Sequence, residues 1–179
     1  MGAPVITRLA YIASIESIES AAASCAKVPA GSGILLGEYG RISPLAIAGH
    51  IGKAFTGPMF IEIVSKNKNR DLVHSGLVSS SICGFDGAVL ASGLFDAGAG
   101  MAKPVYDLDP AQMLKLALKL KSEGTIPSSF IIIVRSAAGD GAAERRARHY
   151  LDEGADFIAL DSAIMPALEQ KSLLIEPIA

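Results

Sequence analysis

Short, unbroken apolar runs alternate with helix-like segments along the sequence, and few folds accept that order. The runs lie at 5–13, 33–36, 59–64, 88–91, 130–134, 157–160 and 173–175. They are too short for helices and lack a polar face, as expected of parallel strands covered on both sides. Between them, 15–26, 44–54, 72–82, 110–122, 141–153 and the weaker 165–171 have helical character. Right-handed crossovers between successive parallel strands lead either to an open doubly wound sheet or to a closed barrel. No Gly-x-Gly-x-x-Gly turn or phosphate loop follows the first run, and the units are evenly spaced. The expectation is therefore an α/β fold of the (β/α)8 TIM-barrel type. Seven runs are one short of the usual eight, so the barrel is predicted to be truncated to about seven βα units. A missing unit would leave an edge strand and a gap for a partner chain or the terminal segments to cover.

The 179 residues, 50% of them hydrophobic, suit one barrel domain spanning 1–179 rather than two with small cores. Eighteen acids against sixteen bases give a net charge of −2, without the electrostatic footprint of a nucleic-acid binder. No membrane-spanning apolar window and no signal-peptide pattern occur, so a soluble, cytoplasmic protein is expected, with small molecules or proteins as partners. Cys25 and Cys83 stand far apart, and His50, His74 and His149 show no paired pattern. Neither a structural metal nor a disulfide is expected. A mean hydropathy of +0.41 is high for a monomer with few aromatics. An apolar patch that pairs subunits into a homo-oligomer would account for it, and strands buried on both faces raise it too.

In such a barrel the chemistry sits at the C-terminal ends of the strands, so the segment after each run holds the candidates. The second run is followed by GEYGR at 37–41, the third by SKNKNR at 65–70. In the latter, Lys66, Lys68 and Arg70 alternate with Asn67 and Asn69, a set suited to a phosphate and equally to a solvated turn. After the fourth run comes ASGLFDAGAGMAKPVYDLDP at 91–110, long and rich in glycine, which permits close backbone approach to a ligand. Ser92, Gly93, Asp96 and Tyr106 are its candidates. Asp109, before Pro110 and with Gln112 at the third helical position, is a helix N-cap with a capping-box partner. Asp107, with Tyr106 and Lys103, is left to face a ligand or brace the loop. The fifth run leads into Arg135. Beyond it, Arg145, Arg146 and Arg148 with Glu144 form an exposed charged face, and Gly154 ends a helix. Asp161 closes the sixth run at the mouth, where an acid has more reason to act on a ligand than on a helix face. Glu62, inside FIEIV, either points into the barrel and finds a partner or lies at the mouth.

Three segments in order resemble the methylenetetrahydrofolate reductase family, flavin-containing (β/α)8 barrels of one-carbon metabolism. They are GRISPLAIAGHIGKAFTGPMFIEIVSKNKNRDLVHSGLVSSSICGFDGAVLASG, KPVYDLDPAQMLKL and YLDEGADFIALD. The resemblance implies flavin adenine dinucleotide (FAD) as cofactor, a folate or other reduced pterin as partner, and hydride transfer from flavin to a methylene-pterin. It places Ser92, Gly93, Tyr106, Asp107, Lys66, Asn69 and Arg135 around the cofactor. The sequence departs from the family at several points. The first run lacks the family's glutamate, Leu94 holds the position of its loop aspartate unless Asp96 replaces it, and Glu62 stands where many members have a histidine. Tyr150 replaces a lysine, and Asp161 replaces the glutamine of a threonine-glutamine pair. Glu62, Asp96 and Asp161 are then the substitute acids. The lost acid and the short barrel favour an alternative, a non-catalytic subunit that binds a partner reductase. A third reading is an unrelated barrel enzyme that takes a phosphorylated metabolite through the basic turn at 66–70.

Overall fold

The computed structural model describes residues 7–13, 15–38, 42–93, 105, 107–136, 141–161 and 171–178. Its strands are β1 (Arg8–Ile12), β2 (Gly33–Leu36), β3 (Met59–Val64), β4 (Gly87–Ala91), β5 (Ile131–Ser136), β6 (Phe157–Leu160) and β7 (Ser172–Pro177). Between them run α1 (Ile18–Cys25), α2 (Pro44–Ala54), α3 (Arg70–Ile82), α4 (Pro110–Ser122) and α5 (Gly141–Asp152), and a 3-10 turn at Ser65–Asn67 joins β3 to α3. The helix expected at 165–171 falls almost wholly outside the described residues. No helix among the described residues is long and apolar enough to cross a membrane.

Neighbouring strands are parallel and follow chain order, and β7 returns to β1 to close the barrel. Arg8 pairs with Leu174 and Tyr11 with Pro177 along that seam. The seven-unit barrel expected from the sequence is present, but the open edge is not. Tilt and stagger let seven strands meet, and closure removes the unpaired edge groups that an open sheet would expose. The gap that called for a covering partner is absent among the described strands.

The geometry of β3 explains why the apolar runs are continuous. All of its residues, MFIEIV, are buried, and successive side chains alternate between two cores. Met59, Ile61 and Ile63 face the helices with Val73, Leu77 and Leu114. Phe60 faces the barrel axis with Leu9, Leu35, Val89 and Ile133. Glu62 has the parity of Phe60 and lies two residues nearer the C-terminal end. The strand therefore carries its carboxylate into the barrel, just above the apolar layer.

Local chemistry sets the helix ends. At α4, Gln112 N–H donates to Asp109 Oδ1 at 2.8 Å and Asp109 N–H to Gln112 Oε1 at 2.9 Å, the reciprocal cap that the sequence predicts. At the N-terminal face of the barrel one clasp occurs twice among the described residues. Gly84-Phe85-Asp86 follows α3 and Gly154-Ala155-Asp156 follows α5, with the glycines at φ 85° and 109°, where a side chain would be strained. Asp86 donates its N–H to Met59 O at 2.8 Å while its Oδ2 accepts Met59 N–H at 2.8 Å. Asp156 does the same with Ile132, again at 2.8 Å in both directions. Each aspartate thus ties the start of its own strand to the start of the preceding one.

Candidate active site at the barrel mouth

Strand parity sends Tyr11 of β1, Glu62 of β3 and Arg135 of β5 into the barrel at its C-terminal end, and Asp161 joins them directly after β6. The Tyr11 hydroxyl donates to Glu62 Oε2 at 2.6 Å. Arg135 Nη1 donates to Glu62 Oε1. On its other edge, Arg135 Nε and Nη2 both donate to Asp161 Oδ1, at 2.9 and 2.6 Å. The guanidinium carbon lies 5.2 Å from the Tyr11 ring centroid, within cation–π range. Side-chain exposure rises from 1% at Glu62 through 24% at Arg135 to 48% at Asp161, so the network runs from the dry interior to solvent.

The energetics follow from that gradient. A carboxylate taken out of water is tolerated only when paired and hydrogen-bonded, and Glu62 is both. Burial pushes the Tyr11 phenol well above its ordinary range, and the hydrogen bond to Glu62 and its negative charge push it further. For Arg135, burial works against the charge, but the hydrogen bond to Asp161 and the charges of Glu62 and Asp161 outweigh it and raise its pKa. At neutral pH the mouth therefore presents a fixed cation and a protonated phenol.

A second pair lies beside the first. Lys68 Nζ bonds Glu38 Oε2, which also accepts Val64 N–H at 3.2 Å, while Nζ reaches Val64 O at 3.3 Å. One cation of the basic turn is thus already matched by an acid from the segment after β2. The backbone approaches closely here. A Cβ on Gly37 would meet Ala13 O at 2.4 Å and the Tyr11 hydroxyl at 2.9 Å. Gly93 adopts φ +79°, and a Cβ there would meet Val64 Cγ1 at 2.4 Å.

Of the residues singled out from the sequence, Glu62, Arg135 and Asp161 come together directly. Lys66, Ser92 and Gly93 lie on the same rim: Ser65 Oγ is 3.5 Å from Ser92 O, and a Cβ on Gly93 would come within 3.2 Å of Lys66 Cβ. Asn69 and Asp107 are engaged at the start of α3, where Asn69 Oδ1 accepts Leu72 N–H at 3.0 Å and Asp107 Oδ2 accepts Arg70 N–H at 2.8 Å. Asp96 and Tyr106 lie outside the described residues. Tyr11 and Glu38 were not anticipated. Tyr11 shares the parity of Leu9 in the first run, and Glu38 is the second residue beyond the second run, so both carried a positional signal.

A closed parallel α/β barrel with an ionic cluster at its C-terminal mouth defines the structural class to which this chain belongs. Within that class it is similar to oxaloacetate acetylhydrolase in complex with 3,3-difluorooxalacetate (TM-score 0.62, 14% identity, 95% of this chain and 75% of that one). It is also similar to phosphonopyruvate hydrolase complexed with oxalate and Mg++ (TM-score 0.60, 16% identity, 96% and 75%). A third similar structure is 3-hexulose-6-phosphate synthase (TM-score 0.60, 13% identity, 96% and 90%). At these identities the likeness is one of fold. No family model and no curated protein matches the sequence.

These findings overturn the resemblance to methylenetetrahydrofolate reductase, and with it the assignments to one-carbon metabolism, a flavin oxidoreductase, a folate or pterin substrate and FAD. The similar structures are hydrolases and a synthase of other substrates, and no reductase family model matches. The physical reason for the misreading is visible in GADF. It belongs to the clasp at the N-terminal face, where Asp156 binds Ile132, at the opposite end from the mouth. The alternative of a subunit docked on a reductase finds no support either, since β7 closes the gap that suggested it.

Proposed function

We propose that this barrel is an enzyme acting on a small anionic metabolite, one that carries a carboxylate or a phosphate, held at the mouth by Arg135. The observation that carries the proposal is the Tyr11, Glu62, Arg135 and Asp161 network, a fixed cation at the end of the barrel where this fold places its chemistry. The similar structures add weight, because the ligands and the product in their names, an oxaloacetate analogue, oxalate and a hexulose phosphate, are all small anions.

The roles follow from the geometry. Glu62, held by Tyr11, fixes the orientation of Arg135 from within and acts as a positioning residue. Arg135 receives the anionic group. When a bond beside a carbonyl breaks, negative charge grows on an oxygen, and a preorganised guanidinium in a partly dry site stabilises it. Lys66, Ser92 and Gly93 shape the rim. Among the described residues, no group of three His, Cys, Asp or Glu side chains converges into a seat for the Mg++ seen with phosphonopyruvate hydrolase. Glu62 and Asp161 instead share Arg135, an organic cation between them, and no step is assigned to a metal.

The test is substrate consumption followed by NMR for oxaloacetate, substituted malates and ketose phosphates, with wild type and Arg135→Lys. Turnover of one class, reduced about a hundredfold or more in the lysine variant, is expected, because lysine keeps the charge but loses the planar fork. Wild-type turnover by Arg135→Lys would reduce the network to a structural ion pair.

A further inference from the structure

Two carboxylates hold the same guanidinium, and they differ in every property that governs release. Glu62 lies on the inner side with 1% of its side chain exposed, and parting it from Arg135 would strand a charge in the barrel. Asp161 lies on the outer side, 48% exposed, where an ion pair contributes little net stability and either partner is readily rehydrated. Asp161 also meets Arg135 through one oxygen. Its single Oδ1 is shared by Nε at 2.9 Å and Nη2 at 2.6 Å, although that edge of arginine is a fork matched to two oxygens of one carboxylate.

The backbone allows Asp161 to let go. It is the first residue beyond β6, whose last paired residue is Leu160, matched with Ser136 on one side and Leu174 on the other. Rotation of the Asp161 side chain therefore breaks no sheet pairing. Nor does departure of Asp161 disorder the arginine, because Glu62 still holds Nη1 and the Tyr11 ring still lies against the guanidinium.

We infer that Asp161 is an internal stand-in for a substrate carboxylate: it occupies the outer fork of Arg135 until a ligand carboxylate, offering two oxygens, displaces it into solvent. The inference rests on the proposed role of Arg135 as anion receptor and narrows its ligand to a carboxylate. It also makes Asp161 the residue that sets affinity, by competition for the fork and by like-charge repulsion. The free mouth, with two carboxylates on one guanidinium, does not attract anions indiscriminately.

The test is isothermal titration calorimetry at fixed ionic strength with sodium oxalate and, separately, inorganic phosphate. The proteins are wild type, Asp161→Asn, Arg135→Lys and a control, Glu123→Gln, an acid of similar exposure on the helix side. Asp161→Asn is expected to bind oxalate about three- to tenfold more tightly than wild type, the range that a weak exposed competitor and one removed repulsion supply. Glu123→Gln is expected to bind as wild type. Oxalate binding by Asp161→Asn that is unchanged or weaker, while wild type binds it, would overturn the stand-in and leave the receptor role of Arg135 standing. A gain for phosphate without one for oxalate would overturn the carboxylate assignment. Binding by none of the proteins, or equal binding by wild type and Arg135→Lys, would remove the receptor itself.

Discussion

Replacing Arg135 with methionine leaves the Glu62 carboxylate inside the barrel with the Tyr11 hydroxyl as its remaining partner from the network. For opposite charges about 4 Å apart at an effective dielectric of about 20, the lost attraction is about 4 kcal/mol. That agrees with the roughly 3–5 kcal/mol typical of removing one member of a buried pair. In a domain of this size each kcal/mol moves the melting temperature by about 2–4 °C, so a fall of about 6–20 °C is expected. The double change Glu62→Met with Arg135→Met removes both charges and is expected to recover most of the loss, since apolar replacement of a whole buried pair is often neutral or stabilising. Urea denaturation with linear extrapolation measures both variants, and Glu62→Met alone supplies the fourth corner of the cycle. A single-variant cost below about 1 kcal/mol, the scale of an exposed pair, would refute the reasoning, as would a double variant less stable than the single one.

The Tyr11 phenol titrates above its ordinary range in the folded protein, so its contribution to stability is complete below about pH 10 and is lost as pH rises toward the folded value. Tyr11→Phe is expected to flatten the alkaline fall in unfolding free energy above about pH 10, and an unchanged fall would contradict the assigned shift. Asp86→Ala leaves Met59 N–H without its carboxylate acceptor and is expected to cost about 1–3 kcal/mol. Asp86→Asn, which keeps an acceptor oxygen, is expected to restore much of that, and equal losses in the two variants would count against the clasp. Native-state hydrogen exchange is expected to find the amides of Leu174 and Ile178, bonded to Thr7 O and Tyr11 O across the closing seam, less protected than those of Met59 and Ile132 at the clasps. The reverse order would refute this.

Local pattern carried most of the architecture. The limits of α2 and α4 follow from a proline start and an apolar stripe, and the Asp109 cap needs only residues three apart in sequence. Closure of the barrel could not be read in that way, because the pairing of Arg8 with Leu174 depends on accumulated tilt and stagger rather than on either segment's composition. The mouth was partly readable. Glu62, Arg135 and Asp161 stand out as charges at strand ends, whereas Tyr11 is hidden in an apolar run and shows itself only through strand parity. Lys68 was visible as a cation, but its partner Glu38 comes from a different loop, and no spacing in the sequence joins them. GADF misled because a clasp that recurs in this same barrel at Gly84-Phe85-Asp86 looked like a mark of one family.

The two clasps and the seam also bear on the order in which the barrel assembles. The clasps connect positions 27 and 24 residues apart, each within one strand–helix–strand unit. The seam joins Arg8 to Leu174, almost the ends of the described chain. Bringing distant segments together costs more chain entropy than bringing near ones together, and contacts of long sequence separation slow folding. Chain entropy therefore favours pairing β3 with β4 and β5 with β6, the two units that the aspartates clasp, over the β1–β7 contact. Tyr11 is joined to Glu62 through β2, and Glu62 to Arg135 through β4, so neither link crosses the seam. The phenol, the buried acid and the cation of the mouth thus need only the contiguous run β1 to β5, and the seam encloses a cluster that does not depend on it.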